Sequence, residues 1–179
     1  MSITRTIALV AAVCAGCATA PATRAEKHNL QESADATLTE MMARDHAIRN
    51  VTDQAVAYAV FPSIAKGGAL IGGAYGQGIL YEHGVATGYV SVQQASIGAE
   101  LGGKSFAELL ILRNADDVAA VKAGNFTAGA DLGVTVLKES AETSATLDRS
   151  TSIFVLPHGG LMVDVSVNGQ QLKYQSFSA

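Results

Sequence analysis

The chain has 179 residues, 49% of them apolar and only 16% charged, which is enough for one domain with a substantial core. Its formal net charge of −4 and the lack of any Lys/Arg cluster exclude a nucleic-acid partner and strong electrostatic attraction to anionic lipid. Cys14 and Cys17 are the only cysteines, so everything after them is held together by a core and not by disulfides.

The N-terminus reads MSITRTIALVAAVCAGCATAPATRAEKHN. Arg5 precedes an apolar run at 7–15 that is too short to cross a bilayer, and small and then polar residues follow, the layout of a secretory signal. Two cleavage chemistries fit. Ala18-Thr19-Ala20 suits the ordinary signal peptidase and a soluble product. Cys14-Ala15-Gly16-Cys17 resembles the bacterial lipobox, in which a lipidated Cys becomes residue one, although Cys14 stands where that box usually has Leu. On the lipobox reading, Ala18 in place of Asp implies transfer to the outer membrane, with the anchored protein facing the periplasm. The C-x-x-C spacing also belongs to redox and metal motifs, but here it falls at the edge of the signal. The expected division is a signal peptide at 1–16, a lipidated, flexible tether at 17–28 and a folded domain at 29–179.

Leu30, Ala34, Leu38, Met41 and Ile48 recur at helical spacing, with Glu32, Asp35, Glu40, Arg44 and Arg49 between them. This predicts an amphipathic helix packed on its own domain; its polar face is mixed in sign, unlike the basic face of a membrane-surface helix. Asn50 or Thr52 is placed to cap a second short helix through Ala59, which Pro62 stops. Eleven of the 18 glycines then fall between positions 67 and 103, mixed with Ile71, Tyr75, Ile79, Tyr81, Tyr89, Val90 and Val92. Helices do not tolerate that density, so short strands joined by tight turns are expected. EHG at 82–84 and NG at 168–169 are hairpin signals. Near 114 a helix intervenes, capped by Asn114, favoured at its start by Asp116 and Asp117 and closed by Gly124. Strands return at 126–137, 151–156, 161–167 and 171–177, with a polar loop, ESAETSATLDRS, between the first two. The fold class is α+β: a curved, mainly antiparallel sheet, barrel- or sandwich-like, with an N-terminal helix and one short inserted helix.

The stretch GAELGGKS at 98–105 matches the phosphate-binding pattern G-x-x-x-x-G-K-[ST]. The shorter pattern G-A-x-[IL]-G explains it better, since it occurs three times, at 68–72, 98–102 and 129–133, and only one copy is followed by Lys-Ser. Positions i and i+4 of a strand share a face, so each copy offers two side-chain-free points there, as a bent or closely approached strand needs. A phosphate loop also needs a buried strand before it and a helix after it. YVSVQQASI is half polar, and although Ser105 and Glu108 have the form of a capping box, LLIL at 109–112 is a continuous apolar run. No nucleotide partner is expected.

Three segments, AVFPSIAKGGALIGGAYGQGILY at 59–81, GYVSVQQASIGAELGGKSFAELLIL at 88–112 and GGLMVDVSVNG at 159–169, together resemble the SYLF domain family of lipid-binding proteins. NADDVAAVKAGNFTAGADLGVTV lies between the last two, and the resemblance spans roughly residues 30–177. It implies a mixed α+β domain with a curved antiparallel sheet. Eukaryotic relatives bind phosphoinositides and some bind actin, while bacterial relatives are commonly small envelope lipoproteins. The chain departs from the family at Glu100 and Lys104, where Gln is frequent, and at Asp164, where Gly is frequent. Phosphoinositide binding in the eukaryotic relatives relies on a basic N-terminal helix, which the mixed-charge segment here is not. Neither phosphoinositide nor actin binding carries over.

No catalytic constellation is present. G-x-S-x-G is absent, and His28, His46, His83 and His158 form no H-x-x-x-H or H-E-x-x-H arrangement, so neither catalysis nor a metal or other cofactor is expected. Tyr75, Tyr81 and Tyr89 suit a lipid groove, where amphipathic rings sit well, and equally suit ordinary strand positions. Lys66 and Lys104 flank the glycine-rich strands, either meeting a lipid headgroup or simply solvated. The candidate site residues are therefore Cys17 for lipidation and Tyr75, Tyr89, Lys66 and Lys104 for lipid contact. The expected function is that of an envelope lipoprotein with a non-catalytic lipid-binding domain. Its partners are membrane lipid through N-terminal acylation and a lipid or acyl ligand. The alternative is a structural or protein-interaction lipoprotein.

Overall fold

The structure is a computed structural model that describes residues 18–68, 71–97, 104–128, 133–136, 151–158 and 169–177. Helix α1 (Arg24–Arg44) starts on a capping box: Glu26 N donates to Thr23 Oγ1 at 3.2 Å, and Thr23 N donates to Glu26 Oε2 at 3.0 Å. The helix thus begins inside the stretch expected to be a tether, and TRAE at 23–26 is the local signal for it. Its buried stripe of Ala34, Thr37 and Met41, with Leu30 and Leu38 half-buried beside it, follows the expected helical spacing.

The second helix differs from expectation. Helix α2 is Ala47–Gln54, and Thr52 lies inside it, its Oγ1 donating back to Ile48 O at 3.1 Å and Arg49 O at 2.9 Å. The residues expected to complete that helix instead open strand β1 (Ala57–Gly68), which runs straight through Pro62. The proline is tolerated because it stands in a bulge. Between Val60 and Ser63, β1 has one residue more than its neighbour β2 (Ile71–Glu82), so Phe61 and Pro62 together face Gly78.

Strands β3 (Val85–Ile97), β4 (Lys104–Leu112), β5 (Thr127–Ala128), β6 (Gly133–Val136), β7 (Thr151–Pro157) and β8 (Gln170–Ser176) complete one sheet. Its order is β5-β8-β3-β2-β1-β4-β7-β6, antiparallel throughout except for the parallel β6–β7 pair. The expected strand at 161–167 lies outside the described residues; Gly169 has φ +76 and β8 follows it at once. The β2–β3 hairpin turns on His83 and Gly84, with φ of 48 and 80, the left-handed pair that a two-residue type I′ turn demands.

The sheet is rolled. Strands β4 and β8 stand four places apart, about 19 Å in a flat sheet. Yet the side chains of Glu108 on β4 and Gln170 on β8 are hydrogen-bonded at 2.9 Å. Alternate residues therefore enter two separate cores. Ala57, Ala59, Phe61, Phe106, Leu110, Ile153, Val155 and Leu172 face the concave side, where helix α3 (Ala115–Lys122) adds Val118 and Val121. Tyr58, Val60, Ile79, Leu109, Ile111 and Phe154 face the convex side, under α1 and α2. Burial on both faces explains why LLIL is an unbroken apolar run within a strand. Among the described residues the sheet is open at β5 and β6.

Helix α3 has the expected form: Asn114 Oδ1 accepts from Asp117 N at 2.7 Å, and Gly124 closes the helix at φ +72. Asn114→Ala is expected to lower stability by about 1 kcal/mol, read as a shift in the urea midpoint with an unchanged slope.

Candidate functional site: a groove where the chain meets the sheet

The convex face of β2 and β3 carries the candidate tyrosines Tyr75 and Tyr89. Alternation from the inward-facing Ala74 puts Tyr75, Gln77, Ile79 and Tyr81 outward on β2; the cross-strand register sets Gln93, Ser91 and Tyr89 beside the first three. The chain just after Cys17 is fastened across this row. Ala18 O accepts from Tyr75 Oη at 2.7 Å and Gln77 Nε2 at 2.6 Å, and Ser91 Oγ donates to Thr19 Oγ1 at 3.3 Å. Ala20 is buried, and Pro21 and Ala22 lead into the capped start of α1. Between this strap, the first turns of α1 and the β2 side chains lies a groove of 460 Å³, lined by Ala18, Ala20, Pro21, Ala22, Glu26, Asn29, Leu30, Tyr75 and Gln77. Its volume is within the usual range of ligand sites, about 300–1,000 Å³.

Tyr89 lies further along the same face, its ring edge-on to Phe177 at 4.7 Å and under Lys27 Nζ at 5.5 Å. Phe177 is one of two large apolar side chains that are exposed among the described residues. Tyr81 is different in kind. It stacks on Tyr58 at 5.0 Å and donates to Asp35 Oδ1 at 2.5 Å, pinning α1 to the sheet. Burial above all, with the Asp35 hydrogen bond and charge next, pushes its phenol far above the usual range, so it is a neutral structural donor.

Lys66 does not join the tyrosines. Lys66 follows Ile64 by two residues and so faces the concave side, where it is only 5% exposed, which corrects the expectation of a solvated or headgroup-facing lysine. Lys104 pairs with Lys66 as the first residue of β4. A strand therefore follows Lys104, where a phosphate loop needs a helix N-terminus. The rest of GAELGGKS, at 98–103, lies outside the described residues, as does Cys17. Of the three G-A-x-[IL]-G copies, the one at 68–72 has Gly68 directly paired with Gly72. It therefore spans a connection between antiparallel strands and does not run along one. The other two copies lie almost wholly outside the described residues.

The concave side holds a polar pair of which the sequence motifs touched only Glu108, as one end of a capping box whose place strand β4 takes. Glu108 and Gln170 are each 1% exposed, and Gln170 Nε2 donates to Glu108 Oε2 at 2.9 Å. Burial pushes the Glu108 carboxyl up to about 7, although the Gln170 hydrogen bond works the other way. A signal for it exists, since Glu108 shares the parity of Phe106 and Leu110 within an apolar strand. Nothing in the sequence marks Gln77 and Ser91 as the strap's partners. Among the described residues no group of three or more His, Cys, Asp or Glu side chains is placed to hold a metal ion, and no helix is long and apolar enough to cross a membrane.

No family model matches the chain. The chain is similar to Beta cell expansion factor A of Aeromonas veronii. Identity is 26% over 141 residues, covering 77% of this chain and 53% of that protein. The chain thus spans about half the length of the curated relative it matches.

Proposed function

We propose that the chain is an envelope lipoprotein with a non-catalytic, lipid-binding domain of the SYLF type, anchored to the outer membrane through Cys17 and facing the periplasm. The observation that carries this reading is the convex-face groove, which opens beside the first residue after Cys17 and has Tyr75 in its wall. The lipobox-like Ala15-Gly16-Cys17 and the ordered SYLF-like segments support it in turn. An acidic domain held by acyl chains needs no electrostatic help to reach a membrane, so further lipid affinity comes from apolar contact.

Cys17→Ser is expected to move the protein from the membrane to the soluble envelope fraction. That soluble protein should then bind phosphatidylcholine vesicles weakly, with little change between low and high salt. Tyr75→Ser together with Tyr89→Ser should weaken vesicle binding about ten-fold while the far-UV spectrum stays unchanged. A Cys17→Ser protein that stays membrane-bound with its N-terminus at Pro21 refutes the anchor, and a domain that ignores vesicles altogether favours the protein-interaction reading.

A further inference from the structure

The wall of the groove beside the strap is as polar as it is apolar, and its polar half is one-sided. Most of its side-chain donors are spent. Tyr75 Oη and Gln77 Nε2 both donate to Ala18 O, and since that oxygen only accepts, the Gln77 amide is fixed with Oε1 turned away from it. Glu26 accepts from Thr23 N through Oε2 and keeps Oε1 for another partner. Asn29, one helical turn further on, makes no side-chain hydrogen bond among the described residues. Its Nδ2 is the remaining side-chain donor of the lining, and rotation of the amide exchanges it for Oδ1. Charge points the same way. Hydrogen bonds with Thr23 hold the Glu26 carboxyl below its usual range, so it is a carboxylate, and among the described residues no cation pairs with it. The positive end of α1 is already met by that carboxylate and by Thr23, so it does not call for an anion.

We propose that the groove binds a primary ammonium group through Glu26 Oε1, Gln77 Oε1 and Asn29 Oδ1. An ammonium has three N–H donors and no acceptor, which matches three oxygens, one of them charged. A neutral polyol supplies donors and leaves the charge unbalanced, and a quaternary ammonium supplies the charge and no donor. Pro21, Ala22 and Leu30 line the same groove and take the alkyl stem behind the ammonium. Two sources carry such a group: the ethanolamine headgroup of a lipid, and a soluble amine. The lipid source rests on the lipid-binding reading and adds a headgroup preference to apolar contact with the sheet, whereas the ammonium site itself does not depend on that reading.

The test titrates the soluble Cys17→Ser protein with ethanolamine, and separately with choline, at one ionic strength, following backbone and side-chain amide signals by NMR. Ethanolamine should saturate with a Kd in the millimolar range and move the Gln77 and Asn29 side-chain amides, while choline should bind about ten-fold more weakly. Glu26→Gln keeps the capping box, in which Gln also serves, and should weaken ethanolamine about ten-fold. Glu32→Gln, exposed on the same helix outside the groove, should leave it unchanged. Equal loss in the two variants, equal binding of the two amines, or shifts that are absent or never saturate would mean at most diffuse attraction to an acidic surface, and each overturns the proposal whatever vesicles show. Vesicles then distinguish the sources. Tighter binding to mixed phosphatidylethanolamine–phosphatidylcholine vesicles than to phosphatidylcholine alone, reversed by free ethanolamine and lost in Glu26→Gln, supports the site with a lipid as its ligand. Ethanolamine binding without that vesicle preference supports the site with a soluble amine as its ligand. A protein that binds ethanolamine as expected and neither kind of vesicle sinks the lipid-binding reading and leaves the ammonium site standing.

Discussion

Gly78→Ala is expected to destabilise the domain by about 3 kcal/mol or more, a large share of the about 5–15 kcal/mol that holds a typical domain folded. A Cβ at this position would overlap the Val60 carbonyl oxygen and come within 2.8 Å of Phe61 Cδ1. The obstruction is backbone, so no rotamer change relieves it. It exists because β1 bulges at Phe61 and Pro62, opposite Gly78, and the bulged chain leans into the space a side chain would fill. Gly76, the next concave-face position on β2, is nearly as tight, its Cβ falling 2.7 Å from Ile64 Cγ1 and 2.9 Å from Ser63 O. Urea unfolding of Gly78→Ala against the parent protein checks this. A midpoint within error of the parent would mean that the bulge is free to flatten and does not hold the sheet in its curve.

Glu108 sets the second large effect, on the pH dependence of stability. Its carboxyl titrates near 7 in the folded protein, against an ordinary value of 4.5. The folded value lies above the unfolded one, so between those pH values the native state holds a proton that the unfolded chain has released. The contribution is fully present below about pH 4.5 and is lost as pH rises through about 7, a decline on the order of 3 kcal/mol. Glu108→Gln removes the titration and keeps the shape. Among the described residues Glu108 Oε1 and Gln170 Oε1 have no hydrogen-bond partner, and an amide at 108 can donate to Gln170 Oε1. The variant is therefore expected to match the parent near pH 4.5 and to exceed it by about 3 kcal/mol at pH 8. Glu82 acts in the opposite sense. Burial raises its carboxyl, but hydrogen bonds from Lys122 and Thr87 and the Lys122 charge outweigh burial and hold it low, so its contribution is lost as pH falls. The parent-minus-variant difference isolates Glu108, and a difference that stays constant from pH 4.5 to 8 would sink the assignment.

Where a signal is carried by a few adjacent residues, it is legible without the structure. Asn114, Asp116, Asp117 and Gly124 mark both ends of α3 because capping and dipole effects act within one turn. His83 and Gly84 mark a hairpin because a two-residue turn needs left-handed backbone at both positions. The apolar stripe of α1 and the antiparallel character of the sheet are likewise readable from spacing and glycine content. The boundary between α2 and β1 is not, since a short apolar run buried on both faces has no period that separates helix from strand.

The candidate site divides in the same way. Residue order alone puts tyrosines on the glycine-rich strands and Cys17 at the head of an expected tether before the folded domain. Which face each side chain takes depends on the folded sheet. Its roll buries Lys66 and Glu108 on the concave side and leaves Tyr75 and Tyr89 on the convex one. The strap joins Ala18 to Tyr75 and Gln77 across 57 and 59 residues of chain, and no local pattern encodes a contact at that separation. Local chemistry acts over a turn of backbone, whereas the groove depends on the register of two strands, the bulge that curves them and the helix laid across them.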